Sequence, residues 1–183
     1  MILKQADILS QELKQRIQKV RVFIVDIDGV LTDGRLIFGN YGDELKFFDV
    51  QDGLGMVLLK SSGMKTVMLT SRKSKINQKR AKELGVDKLY QEAGDKLKVY
   101  EKILKRFKVA ADQTCYVGDD LIDLPVLSRV GFAAAVDNAV PEVKQRSHYV
   151  SSRAGGRGAV REIADLVLKA QDKWESATER YKS

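Results

Sequence analysis

Five short apolar runs alternate with helix-patterned segments along most of the chain, and this alternation narrows the possible folds more than any other feature. The runs are Val22–Val25, Thr66–Leu69, Leu89–Tyr90, Thr114–Val117 and Phe132–Val136. The alanines of the last would also suit a helix. Apolar spacings of three and four mark helices near Leu54–Ser62, Ser74–Leu84, Lys96–Phe107 and Leu121–Val130, and a final one from Ala159 to about Trp174. Such alternation predicts an α/β parallel sheet with helices on both faces. Near-continuous apolar strands fit a sheet covered on both sides.

One stretch breaks the rhythm. Residues 34–53, "GRLIFGNYGDELKFFDVQDG", read as a β-hairpin inserted after the first strand. No linker, internal repeat or low-complexity tract divides the chain. Its 183 residues are therefore expected to form one domain, 1–183, ending in a tail and helix over 151–183. Residues 2–20 carry apolar positions (Ile2, Ala6, Leu9, Leu13, Ile17, Val20) at amphipathic-helix spacing. They lack the features of a secretory leader. No apolar run reaches the ~18 residues that span a bilayer, so no membrane partner is expected and the expected location is the cytoplasm.

Single copies of two residue types exclude some chemistry. Cys115 is alone, so no intrachain disulfide forms, and its apolar neighbours assign it to packing. His148 has no Cys or His near it in sequence, which argues against a histidine-based metal site or a Ser-His-Asp triad. The net charge is +7, and residues 72–108 hold 13 Lys or Arg against 5 Asp or Glu. These cations are interleaved with helix-patterned apolar residues, without an aromatic stacking motif. They are expected to form a solvated helix face or a field that draws in a small anion, with no nucleic-acid partner.

The chemistry is written at strand ends. Open parallel sheets bind ligands at the carboxyl ends of their strands. Asp26 and Asp28 follow the first run, and residues i and i+2 of an extended chain point the same way. Thr70 and Ser71 follow the second run, and Asp119, Asp120 and Asp123 follow the fourth. Lys96 opens the helix after the third. Clustered carboxylates repel one another unless a cation joins them. Mg2+ takes one or two carboxylates together with phosphate oxygens. That donor set suits phosphoryl transfer, with Asp26 as a nucleophile and Asp28 as an acid and base. A carboxylate meeting a phosphate at ~4 Å and a dielectric of ~20 costs about 4 kcal/mol per unit charge pair, which Mg2+ and Lys96 would offset.

In order, "DIDGVLTDG", "LTS", "GDKL" and "GDDLID" resemble the four motifs of the haloacid dehalogenase superfamily of phosphohydrolases. The resemblance implies a Rossmann-like fold, with Asp26 as nucleophile and Asp28 as general acid/base. It implies Thr70 and Lys96 on the phosphate, and Mg2+ held by Asp26, Asp119 and the backbone carbonyl of Asp28. Asp120 and Asp123 would support these groups from behind. "DGVLTDG", "FDVQDGLGM", "LTSRKS", "RAKELGV", "LYQ", "YVGDDLIDLPVL" and "GGRGAVREI" narrow the likeness to the cap-less 3-deoxy-D-manno-octulosonate 8-phosphate phosphatase family, from Arg21 to Lys169. That family implies hydrolysis of the sugar acid phosphate in lipopolysaccharide biosynthesis and a homotetramer whose hairpins pack together. The adjacent subunit would help close each site, with the Gly155–Gly158 turn docking into it. Substrate contacts carry over to Asp28, Asp49, Val50, Gln51, Asp52, Gly53, Arg72, Arg80 and Lys96. "LTSR" stands where many relatives have "ITGR", Asp49 where asparagine is common, and Val57 where several have a basic residue. A nine-carbon sugar acid 9-phosphate is the alternative substrate.

Overall fold

The computed structural model describes residues 10–182. The expected N-terminal helix falls partly outside them; its described part is α1, Gln11–Gln18, started by the Ser10 hydroxyl, which accepts from Leu13 N. Strand β1, Val22–Val25, follows and is wholly buried. The inserted hairpin consists of β2 (Ile37–Phe38) and β3 (Glu44–Leu45), paired antiparallel. Five further strands are β4 (Lys65–Leu69), β5 (Lys88–Tyr90), β6 (Thr114–Gly118), β7 (Phe132–Ala135) and β8 (Tyr149–Val150). The helices between and after them are α2 (Val50–Ser61), α3 (Lys75–Leu84), α4 (Lys96–Phe107), α5 (Leu124–Leu127), α6 (Pro141–Arg146), α7 (Ala159–Ala170) and α8 (Trp174–Thr178).

The main sheet has six parallel strands in the order β5-β4-β1-β6-β7-β8. After β1 the chain builds outward through β4 and β5, then returns to β6 on the other side of β1. The reversal leaves a crevice at the carboxyl ends of β1 and its neighbours. β1 sits centrally, with Val25 level with Met68 of β4 and Val117 of β6. The residues that follow those strands therefore emerge side by side. Among the described residues, the hairpin is the only insertion between β1 and α2, and no separate cap domain stands over the crevice.

Several expectations need adjustment. The hairpin assigned to 34–53 is shorter, because 50–53 form the first turn of α2. Asp49 starts that helix early by accepting from Gln51 N at 2.6 Å and Asp52 N at 3.3 Å. The helix expected over Leu121–Val130 is a 3-10 turn, Leu121–Asp123, followed by the four residues of α5. Pro125 lacks an N–H for the helical ladder. The Asp123 carboxylate also occupies Asp119 N and Asp120 N. The C-terminal helix stops at Ala170, and Asp172, with φ 54°, separates it from α8. Strand β8 is two residues long, too short to show alternation. His148 precedes it, and its Nδ1 accepts from Ala133 N at 2.9 Å beside β7. Cys115 is fully buried in β6, and burial pushes its thiol well above the usual range.

α2 and α7 pack closely across one face. Gly55 makes this possible, since a Cβ there would press on the Arg161 backbone and the Ala164 side chain. Asp52 ties the same pair. It is fully buried, and its two carboxylate oxygens accept from Gly158 N at 3.2 Å and Arg161 N at 2.8 Å. α7 has no side-chain cap at Gly158, its own N-cap residue, so Asp52 on α2 does that work from a distance. Asp52→Ala should lower stability by about 2 kcal/mol through the N–H groups it orphans. Urea unfolding of the two proteins checks this, and equal midpoints would contradict it.

Candidate active site

Asp26 leaves β1 at the sheet's carboxyl edge. Its N–H still pairs with Val117 O at 3.1 Å, so the backbone is held by β6 while the side chain enters the crevice. The chain then turns hard. Ile27 O accepts from Leu31 N and Thr32 N, both at 3.0 Å, and from the Thr32 hydroxyl at 3.3 Å. Gly29, with φ 97°, lies against the Asp119 carboxylate where a Cβ would collide with it. Only glycine lets this loop close over the end of β6.

Lys96 reaches the crevice from the first position of α4, which Asp95 starts by accepting from Lys98 N. Its side chain is 2% exposed. Nζ donates to Asp123 Oδ1 at 2.6 Å and to the Tyr116 hydroxyl at 3.3 Å. It also lies 3.0 Å from Asp26 Oδ1, off the angle of a hydrogen bond. Tyr116 in turn donates to Asp123 Oδ1 at 2.6 Å. Asp123 Oδ2 takes the N–H groups of Asp119 and Asp120. Both oxygens of Asp123 are thus spent inside the protein.

Asp28 is held from two sides. Thr70, at the end of β4, donates to Oδ2 at 3.3 Å, and Lys46, just after β3, donates to Oδ1. Asp119 supplies a further carboxylate at the end of β6. Oxygens of Asp26, Asp119 and Asp123 all lie within 4.8 Å of one another. Burial pushes Asp26 up to about 8, with Lys96 opposing and the Asp123 and Asp119 charges adding. Burial and the Asp123 charge raise Asp119 to about 7. Asp26 Oδ1 and Asp119 Oδ1 are both buried without a hydrogen-bond partner. Clustered buried carboxylate oxygens, with Lys96 as the cation beside them, fit a divalent cation such as Mg2+. Asp123 shares the cluster but has no free lone pair to match its neighbours.

The remaining predicted residues have other occupations in this chain. Asp49 caps α2, and its carbonyl accepts from Arg80 at 3.1 Å. Arg80 also lies over the Phe48 ring and pairs with Glu83. Val50 and Gln51 are exposed at the start of α2, and Gln51 accepts from Arg153 at 3.3 Å. Asp52 is buried, and each of its oxygens accepts from the first turn of α7. Gly53 is buried beneath the Arg80 guanidinium. Arg72 lies over Phe38, 3.9 Å from Glu44, and its Nε and that of Arg80 are buried and unpaired. Asp120 is exposed and accepts from Leu121 N. Val57 packs against the core. The glycine-rich turn docks on its own chain, with Gly156 N donating to Val30 O at 2.9 Å and Gly155 N to Asn138.

Sequence reasoning missed Lys46, Glu44 and Tyr116. The first two sat in a segment read only for its turn. Tyr116 was absorbed into an apolar strand, although a tyrosine buried to this depth needs a partner for its hydroxyl.

A parallel sheet with a carboxylate, a hydroxyl and a second carboxylate at the ends of β1, β4 and β6, and a lysine opening the helix after β5, defines a class. The chain belongs to the haloacid dehalogenase-like hydrolases, whose family model matches residues 60–163. Among characterised relatives it is similar to the 3-deoxy-D-manno-octulosonate 8-phosphate phosphatase of Yersinia pestis. The two are 44% identical over 170 residues, covering 93% of this chain and 91% of that protein. The crystal structure of a Yersinia pestis phosphatase of that name superposes with a TM-score of 0.89 at 44% identity, covering 91% of this chain and 90% of that one. The Moraxella catarrhalis phosphatase, crystallised with magnesium, phosphate and KDO, gives 0.92 at 36% identity, covering 95% and 100%.

Asp26 and Asp119 have an ordinary carboxylate value near 3.8 and keep their protons to about 8 and 7 in the folded chain. From about pH 4 upward the folded state holds protons that the unfolded chain has released, so its stability in chelator falls as pH rises, the fall ending near pH 8 where these groups ionise in the folded chain too. Mg2+ competes with those protons, so the rise in melting temperature on adding it should be larger at pH 8 than at pH 6. Thermal unfolding with EDTA or Mg2+ at both values measures this. An equal rise at both would contradict it.

Proposed function

We propose that this chain hydrolyses 3-deoxy-D-manno-octulosonate 8-phosphate to the free sugar acid and phosphate, feeding lipopolysaccharide biosynthesis in the cytoplasm. The observation that carries the reading is Asp26: a buried carboxylate with an unpartnered oxygen, 3.0 Å from the Lys96 ammonium and beside a second carboxylate fixed by Thr70. Relatives of that activity cover almost the whole chain.

Asp26 attacks the phosphorus, and the bond to the sugar oxygen breaks as Asp28 gives that oxygen a proton. An aspartyl phosphate on Asp26 results. Asp28, now ionised, takes a proton from water as the water oxygen attacks the same phosphorus, and Asp26 is released as carboxylate. Thr70 and Lys96 hold the phosphoryl oxygens, and Lys96 also offsets the charge of Asp26 during attack. Mg2+, held by Asp26, Asp119 and the Asp28 carbonyl, would supply the remaining positive charge for the phosphoryl group. Arg72 and Arg80, each with a buried and unpaired Nε, are the cations we assign to the substrate's anionic end. Asp49 and Val57, two of the three departures from the family pattern, are occupied by capping and core packing.

The assembly we propose is a homotetramer closed through the hairpins. Phe38, Leu45, Phe47 and Val50 are 65%, 55%, 67% and 79% exposed, and Tyr41 is almost fully so. Grouped apolar exposure on a two-stranded hairpin calls for a covering surface, since such a hairpin is marginal alone.

Phosphate release should be fastest with the eight-carbon substrate in a panel that includes a nine-carbon sugar acid 9-phosphate. Preference for the nine-carbon ester would overturn the substrate assignment. Asp26→Asn should abolish turnover with the melting transition retained, and surviving activity would remove Asp26 as nucleophile. Light scattering on a sizing column should give four chains' mass, and Phe47→Glu should lower it. A monomeric native protein would refute the tetramer.

A further inference from the structure

The return strand of the hairpin faces the wrong way for an ordinary amphipathic strand. Alternate residues of a strand lie on opposite faces. Leu45 and Phe47 are 55% and 67% exposed. The side chains of Glu44 and Lys46 are 17% and 1% exposed. Placing an ammonium so deeply costs free energy unless it is paired and hydrogen-bonded. Lys46 has such partners: Nζ donates to Asp28 Oδ1 and lies 3.7 Å from Glu44 Oε1, whose carboxylate is itself 3.9 Å from Arg72.

We infer that Lys46 is a positioning residue for Asp28, fixing the carboxyl group in the orientation from which it serves the leaving oxygen. The inference rests on the reading of Asp28 as general acid. Two elements hold that carboxyl, the hairpin through Oδ1 and the end of β4 through Oδ2. Thr70 has a second duty on the phosphate, and when its hydroxyl turns there it leaves Oδ2. Lys46 is then the contact that keeps Asp28 from rotating. An acid that must meet a particular oxygen gains its effect only while so oriented.

Positioning of an acid shows in how the rate depends on the leaving group. The test compares kcat/KM for the sugar phosphate, an alkyl ester that needs a proton, with p-nitrophenyl phosphate, whose leaving group hardly does. Lys46→Met should lower the sugar phosphate value by about tenfold or more and the aryl value by about threefold at most, set against the ~100-fold or greater effect of a full general acid. Lys46→Gln, which keeps a neutral donor on a shorter arm, should fall between Lys46→Met and the native protein. Equal losses on both esters, or no loss, would overturn the inference. Loss of the unfolding transition in both variants would also overturn it, by making Lys46 a folding residue. A native protein that cleaves neither ester would instead defeat the phosphatase reading itself.

Discussion

The crevice depends on one carboxylate that never needs to meet a ligand. Asp123 accepts from Lys96, Tyr116, Asp119 N and Asp120 N. Those four bonds fix the end of β6, the first residue of α4 and the turn that presents Asp119. Each oxygen is satisfied, so burying the charge is tolerable. The geometry around Asp26 is inherited from this arrangement. Lys96 stands 3.0 Å from Asp26 because Asp123 and Tyr116 hold it there. Removing Asp123 would leave the Tyr116 hydroxyl and two N–H groups without their acceptor and would strip Lys96 of its shortest contact.

A second constraint comes from the hairpin. Its apolar side chains point outward and its charged ones inward, the reverse of what isolated folding favours. The inversion makes sense when the outer face is covered and the inner face is part of the site. One short strand then serves both purposes, with Leu45 and Phe47 turned to a neighbour and Lys46 to Asp28. Consecutive residues thus connect the surface proposed for assembly with the group proposed for proton transfer.

Most of the sheet was legible because parallel strands buried on both faces leave unbroken apolar runs, as in Val22–Val25. The carboxylates of the crevice were legible for a related reason: a carboxylate directly after such a run has nowhere to go but the sheet edge. Asp49 and Asp52 show a structural duty that the sequence left unseen. Both lie in a stretch whose motif points to substrate, yet one caps α2 and the other caps α7 across the α2–α7 contact. Sequence cannot separate a capping aspartate from a binding one when the helix it caps lies more than a hundred residues away. Lys46 was hidden for the opposite reason. A lysine in an exposed-looking hairpin carries no mark of burial until the fold shows which face turns inward.

Charge balance gives the strongest argument for the chemistry. Oxygens of Asp26, Asp119 and Asp123 lie within 4.8 Å of one another, and Lys96 is the cation that contacts two of these residues. Fully ionised, the four groups carry two uncompensated negative charges. The protein relieves them without metal only by holding protons, which is why burial lifts Asp26 and Asp119 far above ordinary carboxylates. The nucleophile role proposed for Asp26 requires the ionised form, which a neighbouring dication would favour. One dication held by Asp26 and Asp119 would balance that charge and favour both carboxylates in their ionised form. A phosphate monoester then adds its own negative charge, and the Thr70 hydroxyl and the donors at the crevice mouth become necessary rather than incidental. The site is therefore built short of positive charge by the amount that a divalent metal supplies.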